Sequence, residues 1–165
     1  MNIWILATLI GVIAMAFGPV MMLQPSRAER RQADLRNRAM KRGIKVSIGA
    51  LPRQATDLDA PEQMAIYRLP KHHTRVPERR WLLVRAAYDH EQHFLQRWAW
   101  QDSGRPDPAE MDCLEQCVPE LPTSVLGIGA DSDGWYCYWT ESREAGELEQ
   151  LCEMLTALSK AHAGL

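Results

Sequence analysis

The sequence predicts an α+β protein with one N-terminal transmembrane helix, and three observations carry that reading. Ile3–Leu23 runs for 21 residues without a formal charge. Short apolar or alternating stretches then recur from residue 44 to residue 140, separated by Pro-, Gly- and Asp-containing turns. The last stretch repeats Leu148, Leu151, Cys152, Leu155 and Leu158 at steps of three and four, the period of an amphipathic helix. Strands first and helices later describe a mainly antiparallel sheet with a short helix and a C-terminal helix packed on it.

Residues 1–24 are read as the transmembrane anchor. At about 1.5 Å of rise per residue, such a helix spans roughly 30 Å, the thickness of a bilayer's hydrocarbon core. A cleaved signal peptide would carry a positive start and a shorter apolar core. Met1 and Asn2 have no side-chain charge, and Ala14-Met15-Ala16, the one cleavage-like triplet, lies mid-run. A buried helix of a globular domain would show a polar face, and Thr8 is the only polar side chain here. Ala7, Gly11, Ala14 and Gly18 fall on one face, where small residues let a second helix approach closely. The competing account is that Ala and Gly are common in membrane spans. Trp4 is placed to anchor the outer interface.

Residues 25–43 are read as a basic juxtamembrane helix. Ser26 and Glu29 have the spacing of a capping box, and Gly43 is a favoured stop. Arg27, Arg30, Arg31, Arg36, Arg38, Lys41 and Arg42 outnumber Glu29 and Asp34. By the positive-inside rule the N-terminus lies outside and the C-terminal domain is cytoplasmic. The same cations suit anionic lipid headgroups.

Residues 44–165 are read as one cytosolic α+β domain, since about 120 residues fill one compact unit and not two. Ile44–Ile48 alternates as a first strand. Leu51 to Pro61 is a loop, Met64–Leu69 a strand closed by Pro70, and Lys71–Arg80 a basic loop. Trp81–Ala87 and Phe94–Trp100 are the next strands, their short connections favouring antiparallel neighbours. Asp107-Pro108-Ala109-Glu110 opens a helix that ends near Val118, ahead of Pro119 and Pro122. Ser124–Ala130 and Trp135–Thr140 flank the turn Asp131–Gly134 as a hairpin. Ser142 is expected to cap the final helix.

Charge is unevenly distributed. Residues 1–105 hold 17 Lys and Arg against 9 Asp and Glu, whereas residues 106–165 hold 2 against 12. The acidic part should face solvent or a basic partner. Cys113, Cys117, Cys137 and Cys152 are reduced thiols if the domain is cytosolic.

Several constellations are candidates for chemistry. His90, His93, Cys113 and Cys117 have the residue types of a zinc site, and the two cysteines would share a helix face. Neither half has the tight Cys-x-x-Cys spacing of a zinc ribbon, and the cysteines equally suit an apolar face beside Leu114. Trp98 and Trp100, and Trp135 and Trp139, fall on common strand faces. They serve either as core under the C-terminal helix or as a patch for partner binding. The basic loop lacks interleaved aromatics, so no nucleic-acid partner is expected. No Gly-rich phosphate loop or catalytic motif is present, and no cofactor is called for.

The first 50 residues resemble the layout of the YajC family, small accessory proteins of the bacterial preprotein translocase. The resemblance lies in Val20-Met-Met-Leu-Gln-Pro-Ser-Arg27, the Arg-rich stretch after it, and Lys41-Arg-Gly-Ile-Lys-Val-Ser-Ile-Gly49. Residues 51–165 depart from that family, with further strands and a long C-terminal helix. The resemblance implies an accessory role at a bacterial inner membrane.

The expected function is therefore a single-pass inner-membrane accessory subunit or scaffold, non-enzymatic, binding membrane protein subunits or a second copy of itself. The alternative is a membrane-tethered ligand-binding or catalytic domain, with zinc as its candidate metal.

Overall fold

The computed structural model describes residues 3–22, 26–52, 63–71, 80–86, 94–95, 97–142, 144 and 146–163. The chain forms two compact units, Met1–Asp34 and Leu35–Leu165.

The first unit contains helix α1 (Ile3–Met22) and the opening of helix α2 (Arg27–Lys41). Ile3, Trp4, Ile5, Leu9, Ile10, Val12 and Ile13 of α1 are all exposed. The expected transmembrane helix requires correction: among the described residues, no helix is long and apolar enough to cross a membrane. Crossing takes about 20 consecutive apolar residues. The described side chains of α1 lie within Ile3–Ile13, and α2 is strongly charged. The fold is α+β, with helices and one antiparallel sheet.

Both expected caps of α2 are present. Ser26 N–H donates to Glu29 at 2.6 Å and Glu29 N–H donates to Ser26 Oγ at 3.2 Å, a reciprocal capping box. At the other end Gly43 takes φ +80. Ile44 N–H reaches back to Ala39 O at 3.2 Å, and Gly43 N–H to Met40 O at 3.0 Å. These two bonds form a Schellman motif, which only a residue tolerant of positive φ closes without strain.

The second unit begins inside α2, nine residues before the expected start at Ile44. The physical reason is burial: Ala39 and Ile44 are 0% and 3% exposed and belong to the core, with Leu35 packed against it. The C-terminal half of α2 is therefore part of the domain rather than a separate stalk.

Six strands form one antiparallel sheet: β1 (Lys45–Gly49), β2 (Met64–Pro70), β3 (Trp81–Arg85), β4 (Trp98–Trp100), β5 (Val125–Asp131) and β6 (Gly134–Trp139). Their order is β1-β2-β6-β5-β3-β4. The expected strand Phe94–Trp100 shortens to three residues. Phe94 N–H bonds Trp98 O and Trp98 N–H bonds Leu95 O, which ties its start into a turn instead. The hairpin β5–β6 closes on Ser132 and Asp133, where Asp133 N–H donates to Asp131 Oδ1 at 2.9 Å.

Helix α3 (Pro108–Cys117) leads into a 3₁₀ turn at Val118–Glu120. Helix α4 (Glu147–Ala163) buries Leu148, Leu151, Cys152, Met154, Leu155 and Leu158. These helices and the part of α2 from Leu35 onward cover one face of the sheet, formed by Tyr67, Trp81, Leu83, Trp98, Trp100, Ile128, Trp135, Cys137 and Trp139. Each large apolar side chain removed from water there contributes about 1.5–3 kcal/mol. The opposite face gathers Leu51, Met64, Leu82, Val84, Tyr136 and Tyr138. On it, a Cβ at Gly129 would stand 2.7 Å from the Tyr136 ring and 2.8 Å from Trp81 O. Only glycine lets the tyrosine lie flat across β5.

Candidate functional site

Among the described residues, three carboxylates are buried on the helix side of the sheet: Glu110, Glu141 and Glu147. Glu110 and Glu147 stand at the starts of α3 and α4, whereas Glu141 follows β6.

Glu110 completes the capping box of α3, its N–H donating to Asp107 Oδ1 at 2.8 Å while its own carboxylate accepts from Asp107 N–H at 3.3 Å. The same carboxylate accepts two indole N–H groups, Trp135 Nε1 at 2.7 Å and Trp81 Nε1 at 3.2 Å. Buried tryptophans need such an acceptor. His162, in the last turn of α4, brings Nδ1 to 3.1 Å from Asp107 Oδ2 and 3.3 Å from Glu110 Oε1. Asp107, Glu110 and His162 thus place their ligand atoms within 4.8 Å of one another, a donor set that fits a divalent cation. The same atoms also satisfy one another and the indoles, joining the start of α3 to the end of α4.

Glu141 is buried at φ 55, a left-handed conformation unusual outside glycine. Arg36 grips it with Nε at 2.6 Å and Nη2 at 2.8 Å, and the Tyr67 hydroxyl donates to it at 2.9 Å. Burial, then the neighbouring carboxylate, push the Tyr67 phenol far above its ordinary range. This cluster fastens α2 to β2 and the end of β6.

Glu147 opens α4 and accepts from Ser142 Oγ at 2.5 Å, Ser124 Oγ at 2.6 Å and Trp139 Nε1 at 3.0 Å. Burial raises its carboxyl, but these hydrogen bonds outweigh burial and hold it below the usual carboxylate range. Ser142 does not cap α4 as expected. Its hydroxyl binds Glu147 and Glu144 N–H, and the helix starts five residues later.

The sequence candidates fall as follows. Trp98, Trp100, Trp135 and Trp139 are 1–5% exposed, so the partner-binding patch expected of them gives way to core packing. Their spacing put them on one sheet face, and α3 and α4 cover that face. Cys113 and Cys117 do share a face of α3, Sγ to Sγ 3.9 Å, both half-buried. Burial and the neighbouring thiol push Cys113 up to about 12. His90 and His93 lie outside the described residues, so the four-residue zinc set is not assembled among those described.

Of the helix-interface stripe, Ala7 and Gly11 are exposed on α1, and nothing lies within 4 Å of a Cβ built on Gly11. The side chains of Ala14 and Gly18 lie outside the described residues. Of the lipid-headgroup set, Arg27, Arg30, Arg38, Lys41 and Arg42 are exposed, and Arg31 is half-buried. Arg36 is instead committed to Glu141.

Sequence reasoning missed two features. His162 stood in no motif. A cleft of about 390 Å³ between α4 and the α2–β1 turn, lined by Arg42, Ile44, Cys152, Glu153, Thr156 and Lys160 among others, joins residues over a hundred positions apart.

No family model, curated protein or solved structure matches this chain.

Proposed function

We propose that this chain is a non-enzymatic accessory subunit, a scaffold within a larger membrane protein complex, with residues 35–165 as its partner-binding module. The observation that carries this reading is how charge is distributed. Glu110, Glu141 and Glu147 are engaged in holding helices to the sheet. The acidic side chains Asp112, Glu115, Glu120, Glu144 and Glu153 stand exposed on and beside α3 and α4. Glu115 and Glu120 sit at the negative end of α3, whose last turn has no basic residue. A concentration of like charge at that helix end favours a cationic neighbour.

The test is purification of the tagged chain from native membranes in mild detergent, followed by mass spectrometry. A fixed set of subunits should accompany the protein and be lost with Glu115→Lys/Glu120→Lys. Recovery of the protein alone would sink the proposal.

A second reading, a ligand-binding or catalytic domain, draws on the cleft beside Cys152 and on the paired thiols of Cys113 and Cys117. Metal analysis of the full chain addresses it. Stoichiometric zinc that is lost on Cys113→Ser would favour that reading over the scaffold.

A further inference from the structure

Helix α2 has two unlike faces. Leu35, Arg36 and Ala39 turn inward, with Ala39 fully buried and Arg36 ion-paired to Glu141. Arg27, Arg30, Asp34, Arg38 and Lys41 follow one another at steps of three, four, four and three, and all five are exposed. Steps of three and four keep residues on one side of a helix. The outward side is therefore a stripe of four cations and one anion, continued by exposed Lys45 at the start of β1. Within the second unit the Arg36–Glu141–Tyr67 cluster ties α2 down at Arg36, and Lys41 stays exposed about one and a half turns later. Helix α1, four residues earlier, exposes Ile3, Trp4, Ile5, Leu9, Ile10, Val12 and Ile13. An apolar helix and a basic stripe in succession are the two signals that jointly hold a protein to an anionic bilayer.

We infer that the exposed stripe of α2, through Arg27, Arg30 and Lys41, docks on an anionic lipid surface. The ligand chemistry is a sheet of phosphodiester headgroups carrying net negative charge. This docking is independent of which protein meets the acidic end of α3, because it uses cations of α2 and none of the acidic residues of α3.

The experiment is vesicle flotation of the full chain with phosphatidylcholine alone and with phosphatidylcholine containing one-third phosphatidylglycerol. Apolar α1 contributes equally to both compositions, so their difference reports the stripe. Phosphatidylglycerol should raise binding severalfold. Salt near 1 M should remove the gain, since screening then acts within about 3 Å. Arg30→Glu/Lys41→Glu should cut the phosphatidylglycerol-dependent part by at least about tenfold, at roughly fivefold per cation lost. Circular dichroism checks that the variant is folded. Should it misfold, the salt titration of the unaltered chain decides. Equal binding to both vesicles at low salt would overturn the inference. So would displacement from the anionic vesicles by an equal phosphate concentration of single-stranded RNA, which would make the stripe a nucleic-acid surface.

Discussion

Arg36 and Glu141 stand 105 positions apart and meet through two hydrogen bonds, 2.6 Å from Nε and 2.8 Å from Nη2. The carboxylate is almost fully buried, and the guanidinium is one-third exposed. Arg36→Ala removes the two-pronged guanidinium contact from that carboxylate, and the expected cost is about 2–3 kcal/mol. Arg36→Lys should recover only part of it, because an ammonium cannot reproduce the fork. Urea unfolding followed by far-ultraviolet circular dichroism measures both. A loss below about 0.5 kcal/mol for Arg36→Ala would show that α2 is held by apolar contacts alone.

Glu110 gathers the indoles of Trp81 and Trp135. Glu110→Gln keeps one acceptor but turns an amide donor toward an indole N–H, and should destabilise by about 2 kcal/mol. Glu110→Ala leaves both indoles unsatisfied and should cost more. Thermal unfolding monitored by tryptophan fluorescence tests the order. If the glutamine variant matches the unaltered chain, the carboxylate is not what organises this end of the domain.

Gly129→Ala should destabilise by about 1–3 kcal/mol, the usual cost of overfilling a packed interior. The new Cβ would meet the Tyr136 ring at 2.7 Å and the Trp81 carbonyl at 2.8 Å. The carbonyl belongs to a neighbouring central strand and cannot swing aside. Chemical denaturation of this variant beside Gly43→Ala, whose Cβ would meet nothing within 4 Å but whose φ is +80, separates crowding from backbone strain.

Stability should fall on both sides of neutrality. Burial raises the Cys113 thiol from 9.0 to about 12 and the Tyr136 phenol from 10.0 to about 12. Their contributions are complete below those ordinary values and are lost as pH rises from 9 towards 12. Glu147 is shifted the other way, so its contribution is present above the ordinary 4.5 and disappears as pH falls below that value. Urea midpoints from pH 3 to pH 11 should trace a plateau with two descents. A midpoint still level at pH 11 would contradict the thiol and phenol assignment. Glu147→Gln should flatten the acid descent alone.

What the sequence determined by itself was local. Ser26 and Glu29 specify one helix start and Asp107 with Glu110 another. Gly43 specifies a stop, and Asp131–Gly134 a hairpin. Leu148, Leu151, Leu155 and Leu158 specify a buried helical face. Each depends on neighbours within a few residues, where backbone propensity and side-chain period are sufficient. Tertiary structure decided the remainder, because it depends on distance across the chain. Whether Trp98, Trp100, Trp135 and Trp139 faced a partner or the core turned on where α3 and α4 landed. The partner of Arg36 lay at residue 141, and the acceptor for Trp81 and Trp135 lay in a helix cap. The limit of the domain moved into α2 because Ala39 is buried, a fact that the run of arginines around it conceals. An apolar run can be read from letters, whereas burial and pairing exist only between segments that folding brings together.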